Sequence, residues 1–326
     1  MKHNFSIDGF SYRLRPVRLK DAEFIVKVRL EDAERNRYIH PISSDPKEQE
    51  DWLKQYFERE NDFYFVVENR FTREPEGLIA FYNQEGRKAE WGRWVMRKGS
   101  LAAAESVDLL YQIAFGKAGL DELYCRTVAE NKPVISFHSA IGEKTRGVRK
   151  DEFEIGGKCL DAVEQYADRE TFWQEIHPGL ERKALAIFRR NLKKELGGLI
   201  FHHIGVACHS IEKEKAVYFL LGYTPEGESF EDLDQGIRGQ FVIAKDQPRL
   251  ELLENLEGNT TLTSYLETNT KLYHLAYYVT DFEKAIKILK NYRACLVSEP
   301  KVSIYFGKRI CFFALPNMQL VELLEQ

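Results

Sequence analysis

The sequence lacks the features that mark several large functional classes. No apolar run approaches the ~18 residues that a membrane span needs, and the start Met-Lys-His-Asn-Phe-Ser-Ile-Asp has no signal-peptide core, so a cytoplasmic location without membrane partners is expected. Neither sign of charge dominates: 47 basic and 51 acidic residues are interspersed and leave a formal net charge of −4. Such a balance produces no field able to gather nucleic acid, and small-molecule substrates become the default partners. Cysteine is scarce, and the five present (Cys125, Cys159, Cys208, Cys295, Cys311) are odd in number and unpaired in spacing. That pattern fits reduced, mostly buried thiols rather than a disulfide frame or a zinc site.

What is present describes a globular chain. Apolar residues make up 44% and charged residues 30% of 326 positions, enough for two separate cores. Hydrophobic periodicity predicts a mixed α/β region with strands over 12–17, 63–68, 76–83, 90–96, 123–128 and 158–166. Helices are predicted over 21–34, 48–58, 103–116 and 133–141. His177-Pro178-Gly179 and Gly197-Gly198 should interrupt the pattern, with a basic helix between them. The expected organisation is a domain over 1–175, a linker helix over 176–199 and a domain over 200–326, of α+β class throughout.

The last region repeats itself. Phe201-His202-His203-Ile204-Gly205-Val206-Ala207 matches Leu272-Tyr273-His274-Leu275-Ala276-Tyr277-Tyr278, and Leu250-Glu251-Leu252-Leu253 matches Val321-Glu322-Leu323-Leu324. Histidines and glutamates share one offset of 71 residues (274 − 203 and 322 − 251), which argues for duplication. Each copy reads as strand, helix and three strands. Because side chains alternate along a strand, His203 shares its face with Gly205 and Ala207, which leaves room beside it, whereas His202 should face the other side. A glutamate set between leucines is costly to bury unless paired or bound to metal. Two imidazoles and two carboxylates suit zinc, manganese, cobalt, nickel or iron, and magnesium less well.

These residues resemble the vicinal oxygen chelate superfamily, and most closely the methylmalonyl-CoA epimerases, with glyoxalase I as a relative. The resemblance implies a paired βαβββ domain whose metal ligands are His203, Glu251, His274 and Glu322, with Glu322 as the first carboxylate to test as a base. The partner base is not identified; Glu226, Glu228 and Glu231 are candidates.

In the first region, Leu14-Arg15-Pro16-Val17, Trp91-Gly92, Ile113-Ala114-Phe115 and the segment from Asn131 to Gly142 resemble GNAT-fold N-acetyltransferases. The similarity is greatest to those that modify ribosomal proteins or nucleotide-linked amino sugars. It implies acetyl-CoA or another acyl-CoA as cofactor, its pyrophosphate held by Arg97, Lys98, Gly99, Ser100 and Ala102 before the long helix. It also implies Asn131 against the pantetheine arm and His138 as the proton donor to the leaving thiolate. Ser100 stands where glycine is usual, and no aromatic residue follows Gly142.

The combined expectation is a bifunctional enzyme, an acyl-CoA-dependent N-acyltransferase joined to a metal-dependent epimerase-like or glyoxalase-like domain, with a homodimer left open. The rival readings make the second domain a metal-free ligand-binding module, or the first a degenerate acetyltransferase scaffold.

Overall fold

A computed structural model describes residues 3–326. The chain divides into two compact units, one reaching to Asn191 and one from Leu192 onward.

The first unit is built on a sheet of eight strands: β1 (Ile7–Asp8), β2 (Tyr12–Pro16), β3 (Phe63–Asn69), β4 (Pro75–Glu85), β5 (Lys88–Met96), β6 (Glu122–Val128), β7 (Lys144–Ile155) and β8 (Lys158–Asp168). Their order is β1-β2-β3-β4-β5-β6-β8-β7. Both faces are covered, because central strands such as β3 are buried on both sides and read as a continuous apolar run. Helices α1 (Ala22–Leu30) and α2 (Pro46–Glu58) enclose one cluster around Val66, Leu78 and Tyr56. On the other face α3 (Ala103–Tyr111), the π-helical turn Gln112–Lys117 that continues it and α4 (Lys132–Ile141) enclose a larger one around Phe65, Phe81 and Trp91.

Strand β7 was not foreseen. It is an edge strand whose residues 144–151 are all exposed, so the charged run Lys144-Thr-Arg-Gly-Val-Arg-Lys-Asp carries no apolar alternation to betray it. The expected break at His177-Pro178-Gly179 is also absent. After the short helix α5 (Arg169–Thr171), the chain makes a π-helical turn over Phe172–Ile176 and runs directly into α6 (His177–Leu196). Pro178 cannot donate a backbone hydrogen bond to the turn before it, and the wider π-helical turn over Phe172–Ile176 lies just ahead of that proline.

The second unit also has one eight-stranded sheet, made from β9 (Ile200–Ala207), β10 (Thr224–Asp232), β11 (Ile237–Ile243), β12 (Leu250–Asn255), β13 (Leu272–Val279), β14 (Cys295–Val302), β15 (Arg309–Ala314) and β16 (Leu320–Glu325). The order β10-β11-β12-β9-β13-β16-β15-β14 is two copies of one four-stranded unit, joined at the centre by antiparallel β9 and β13. Each copy carries one helix after its first strand, α7 (Ile211–Phe219) or α9 (Phe282–Asn291), while α8 (Thr263–Glu267) lies in the connection between them. Ser210 and Asp281 cap α7 and α9 by accepting the N–H groups of Lys213 and Lys284. Leu250 and Leu252 turn toward Ile211 and Tyr218 of α7, which leaves Glu251 on the opposite face of β12.

Candidate metal centre and acyl-transfer cleft

Strand register brings the duplicated residues together. Glu251 on β12 stands opposite Gly205 on β9, and Gly205 stands opposite His274 on β13. In the adjacent row His203 on β9 faces Ala276 on β13, which faces Glu322 on β16. Each row is thus a histidine, a small residue and a glutamate, and each glutamate shares its row with the other copy's histidine. The small residue is the space into which the imidazole turns: a Cβ on Gly205 would lie 2.3 Å from the His274 ring.

The four side chains converge on one point and are all buried. His203 Nε2 lies 2.9 Å from His274 Nε2, 3.1 Å from Glu251 Oε2 and 3.4 Å from Glu322 Oε2. His274 Nε2 lies 3.4 Å from each of the two glutamate oxygens. Ligand atoms about 2.1 Å from a common ion stand roughly 3.0 to 3.4 Å apart in octahedral or tetrahedral geometry, so these spacings fit a small divalent cation. Glu322 Oε2 and His274 Nδ1 are buried without a hydrogen bond, and a cation among the four side chains would compensate the carboxylate oxygen. The proteins' own charges already respond to this crowding. Burial alone would push the His274 imidazole down, but Glu251 and Glu322 raise it to about 9; burial would raise Glu251, but His203 and His274 hold it well below the usual carboxylate range.

His202 does not point away from His203 as simple alternation requires. The register of β9 against β13 slips between Ala276–His203 and Tyr277–Phe201, a bulge that leaves His202 without its own opposite residue. Its Nδ1 lies 2.7 Å from His203 Nδ1, and its Nε2 lies 2.5 Å from the Arg249 guanidinium, which also bonds Glu226. Burial first, then the His203 and Arg249 charges, lower the His202 imidazole to about 3, so it is neutral at pH 7. Of the three glutamates proposed as a second base, Glu226 belongs to this outer chain, Glu231 is exposed and paired with Arg238, and Glu228 is exposed. Among the described residues no further acid joins the two histidines and two glutamates.

In the first unit, β5 and β6 run parallel and pair only from Lys88 to Glu90 against Glu122 to Tyr124. Beyond that point they part, and a cavity of about 770 Å³ opens, lined by Trp91, Trp94, Arg126, Asn131 and His138 among others.

These two geometries agree with two family profiles. Residues 12–144 match the acetyltransferase (GNAT) domain, and residues 202–312 match the glyoxalase/bleomycin resistance protein/dioxygenase superfamily. The chain joins a GNAT acetyltransferase domain to a glyoxalase-superfamily domain. Among solved structures, one described as apo FdhC, a nucleotide-linked sugar GNAT, is 26% identical and covers 54% of this chain and 98% of its own, with a TM-score of 0.45. The ribosomal-protein-S5-alanine acetyltransferase of Vibrio fischeri is 17% identical over 51% of this chain and 98% of its own, with a TM-score of 0.46. Mutant forms of the spermidine/spermine N-acetyltransferase SpeG of Vibrio cholerae are 19% identical over 51% and 98%, with a TM-score of 0.44. No curated protein matches the chain.

Within the acetyltransferase domain, His138 is not a surface residue of its helix. It is 2% exposed and packs edge-on against Trp91. Its Nδ1 lies 3.1 Å from Glu143 Oε1, which also accepts the Tyr111 hydroxyl at 2.7 Å, while the Cys125 thiol donates to Glu143 Oε2. Residue type alone does not mark Glu143, which stands where an aromatic residue is usual after Gly142. The detectable signal was a helix ending in left-handed Gly142, which turns the next side chain back beneath the last helical turn.

The loop before α3 is organised by its own residues. Gly99 alone in the segment 97–102 adopts a left-handed conformation, with φ of +80°. Ser100 replaces a second glycine without strain, its hydroxyl donating to Glu76 and accepting the Ala102 N–H. The Lys98 N–H donates to the Glu31 carboxylate at 2.7 Å, so an anionic oxygen already sits where a coenzyme phosphate is expected. Arg97 and Lys98 are exposed, and Asn131 caps α4 by position on the cavity wall.

Proposed function

We propose that the chain is a bifunctional enzyme: an acyl-CoA-dependent N-acyltransferase followed by a metal-dependent enzyme of epimerase or glyoxalase type acting on an acyl-CoA or related carbonyl compound. The observation that carries the second half is the convergence of two imidazole nitrogens and two carboxylate oxygens at 2.9 to 3.4 Å. His203, Glu251, His274 and Glu322 would hold a divalent ion, which supplies Lewis acidity toward a carbonyl oxygen when bound. Glu322 is the carboxylate we assign to take a proton from the neighbouring carbon, and Arg249, His202 and Glu226 buttress His203 from outside.

For the first half, the acyl group sits in the cleft between β5 and β6, with Asn131 beside the coenzyme arm. An N–C bond forms as the C–S bond breaks, and the amine must lose a proton that the thiolate sulfur must gain. His138 fits both halves of that transfer, because Glu143 holds its Nδ1 and leaves Nε2 for the reacting groups. A cavity of about 770 Å³ suits a bulky acceptor such as a nucleotide-linked amino sugar.

Native mass spectrometry of the purified protein, with acetyl-CoA added, tests both halves. One divalent ion and one coenzyme per chain are expected. Absence of metal would favour a ligand-binding module, and absence of coenzyme would favour a degenerate acetyltransferase scaffold.

A further inference from the structure

Four guanidinium groups line the acyl-transfer cavity, and they are not equivalent. Arg93 is neutralised by Asp62 through two hydrogen bonds of 2.6 and 2.9 Å. Arg126 is neutralised by Glu90 and Glu152. Arg35, at the exposed end, donates to the carbonyl of Met96. Arg29, half-buried on α1, bonds only the His40 carbonyl, and no carboxylate among the described residues pairs with it. Burial and the nearby Arg93 charge both lower its guanidinium from the usual value, with only Tyr64 opposing them. A partly desolvated cation without a carboxylate partner is expensive unless an anion arrives to compensate it.

The cavity's acids tell the same story. Glu90 is buried, and its carboxylate is already saturated by Arg126 and by the Asn83 amide. The other carboxylate of the lining, Glu48, is exposed to water on α2. A polycation would therefore meet the uncompensated Arg29 and find no free buried carboxylate.

We infer that the acceptor amine carries an anionic group, a phosphoryl or a carboxyl, which Arg29 binds while the amine is presented toward His138. This rests on the N-acyltransferase reading above. It makes Arg29 a specificity residue, contributing a charge-assisted hydrogen bond to the acceptor and none to the coenzyme.

The test is calorimetry on the full chain, with and without coenzyme A, using glucosamine, glucosamine 6-phosphate, muramic acid and spermidine. At least one of the two anionic amines should bind 10-fold or more tightly than glucosamine, and the better of them identifies the anion. Arg29→Gln should abolish that preference while leaving glucosamine and coenzyme A affinities unchanged, and Arg29→Lys should retain part of it. Tightest binding of spermidine, equal binding of glucosamine, no binding of any amine, or a preference that survives Arg29→Gln would each overturn the inference. Failure of the acyltransferase reading looks different: coenzyme A would not bind, whatever the amines do.

Discussion

Replacing Gly205 with alanine tests the metal centre through a residue that touches no metal. The added Cβ would lie 2.3 Å from both Nδ1 and Cε1 of His274 and 2.8 Å from its Nε2, whereas ordinary contact begins at 3.4 Å. The ring must retreat by about 1 Å, because β9 is pinned on both sides by β12 and β13 and cannot yield its backbone cheaply. Metal–nitrogen bonds of about 2.1 Å tolerate deviations of about 0.2 Å, so His274 cannot move that far and remain a ligand. We expect Gly205→Ala to weaken zinc or cobalt binding about 100-fold or more, equivalent to about 2.7 kcal/mol. Gly205 does not have a positive φ, so alanine strains only the ring and not the backbone. Competition against a chromogenic chelator measures the affinity, and circular dichroism reports whether the variant folds. Ala276→Gly, at the equivalent position in the other row, should leave affinity nearly unchanged. A folded Gly205→Ala protein with wild-type affinity would refute the reasoning.

Glu322→Gln should lower metal affinity more than about 100-fold and reduce the metal retained in native mass spectrometry, since a neutral amide is a poor replacement for a buried carboxylate ligand. His138→Ala should reduce kcat for acetyl transfer about 100- to 1000-fold with little change in coenzyme affinity, and Glu143→Gln about 10-fold by the same steady-state assay; unchanged kcat in both would remove the proposed proton relay. Glu105 offers a pH prediction apart from either site. It is buried beneath the Ser11 and Tyr12 N–H groups, and burial, outweighing those bonds, raises its carboxyl from 4.5 to about 7. The folded state therefore binds this proton more tightly than the unfolded state. Its stabilising effect is complete below the unfolded value and is lost as pH rises through about 7, a change of about 3 kcal/mol. Urea unfolding at several pH values should show that decline in the wild type and a flatter profile in Glu105→Gln.

Duplication was legible because strand side chains alternate with a period of two and each copy preserves the same chemistry at one spacing. His203, Glu251, His274 and Glu322 could thus be named from sequence, along with the mixed α/β character of the first unit. His138 could be named too, but not its burial, since the pattern of a single helix does not reveal what packs against it. Glu143 and Arg29 are not marked in the sequence because what distinguishes each is a side-chain partner, present or absent, that residue type alone does not reveal. Glu143 meets His138 beneath the turn at Gly142 and Tyr111 across 32 residues, and Arg29 is notable because no carboxylate of the described residues pairs with it in the cavity.

The sequence by itself determined the two copies, their matching histidines and glutamates, and the side of each strand on which those residues lie. Tertiary structure alone decided that β9 and β13 meet antiparallel, placing each histidine over the other copy's small residue and bringing the two histidines and two glutamates into one buried cluster. It also decided that His202 turns beside His203. Pairing register and bulges arise from contacts between strands, so no rule applied along a single strand can supply them.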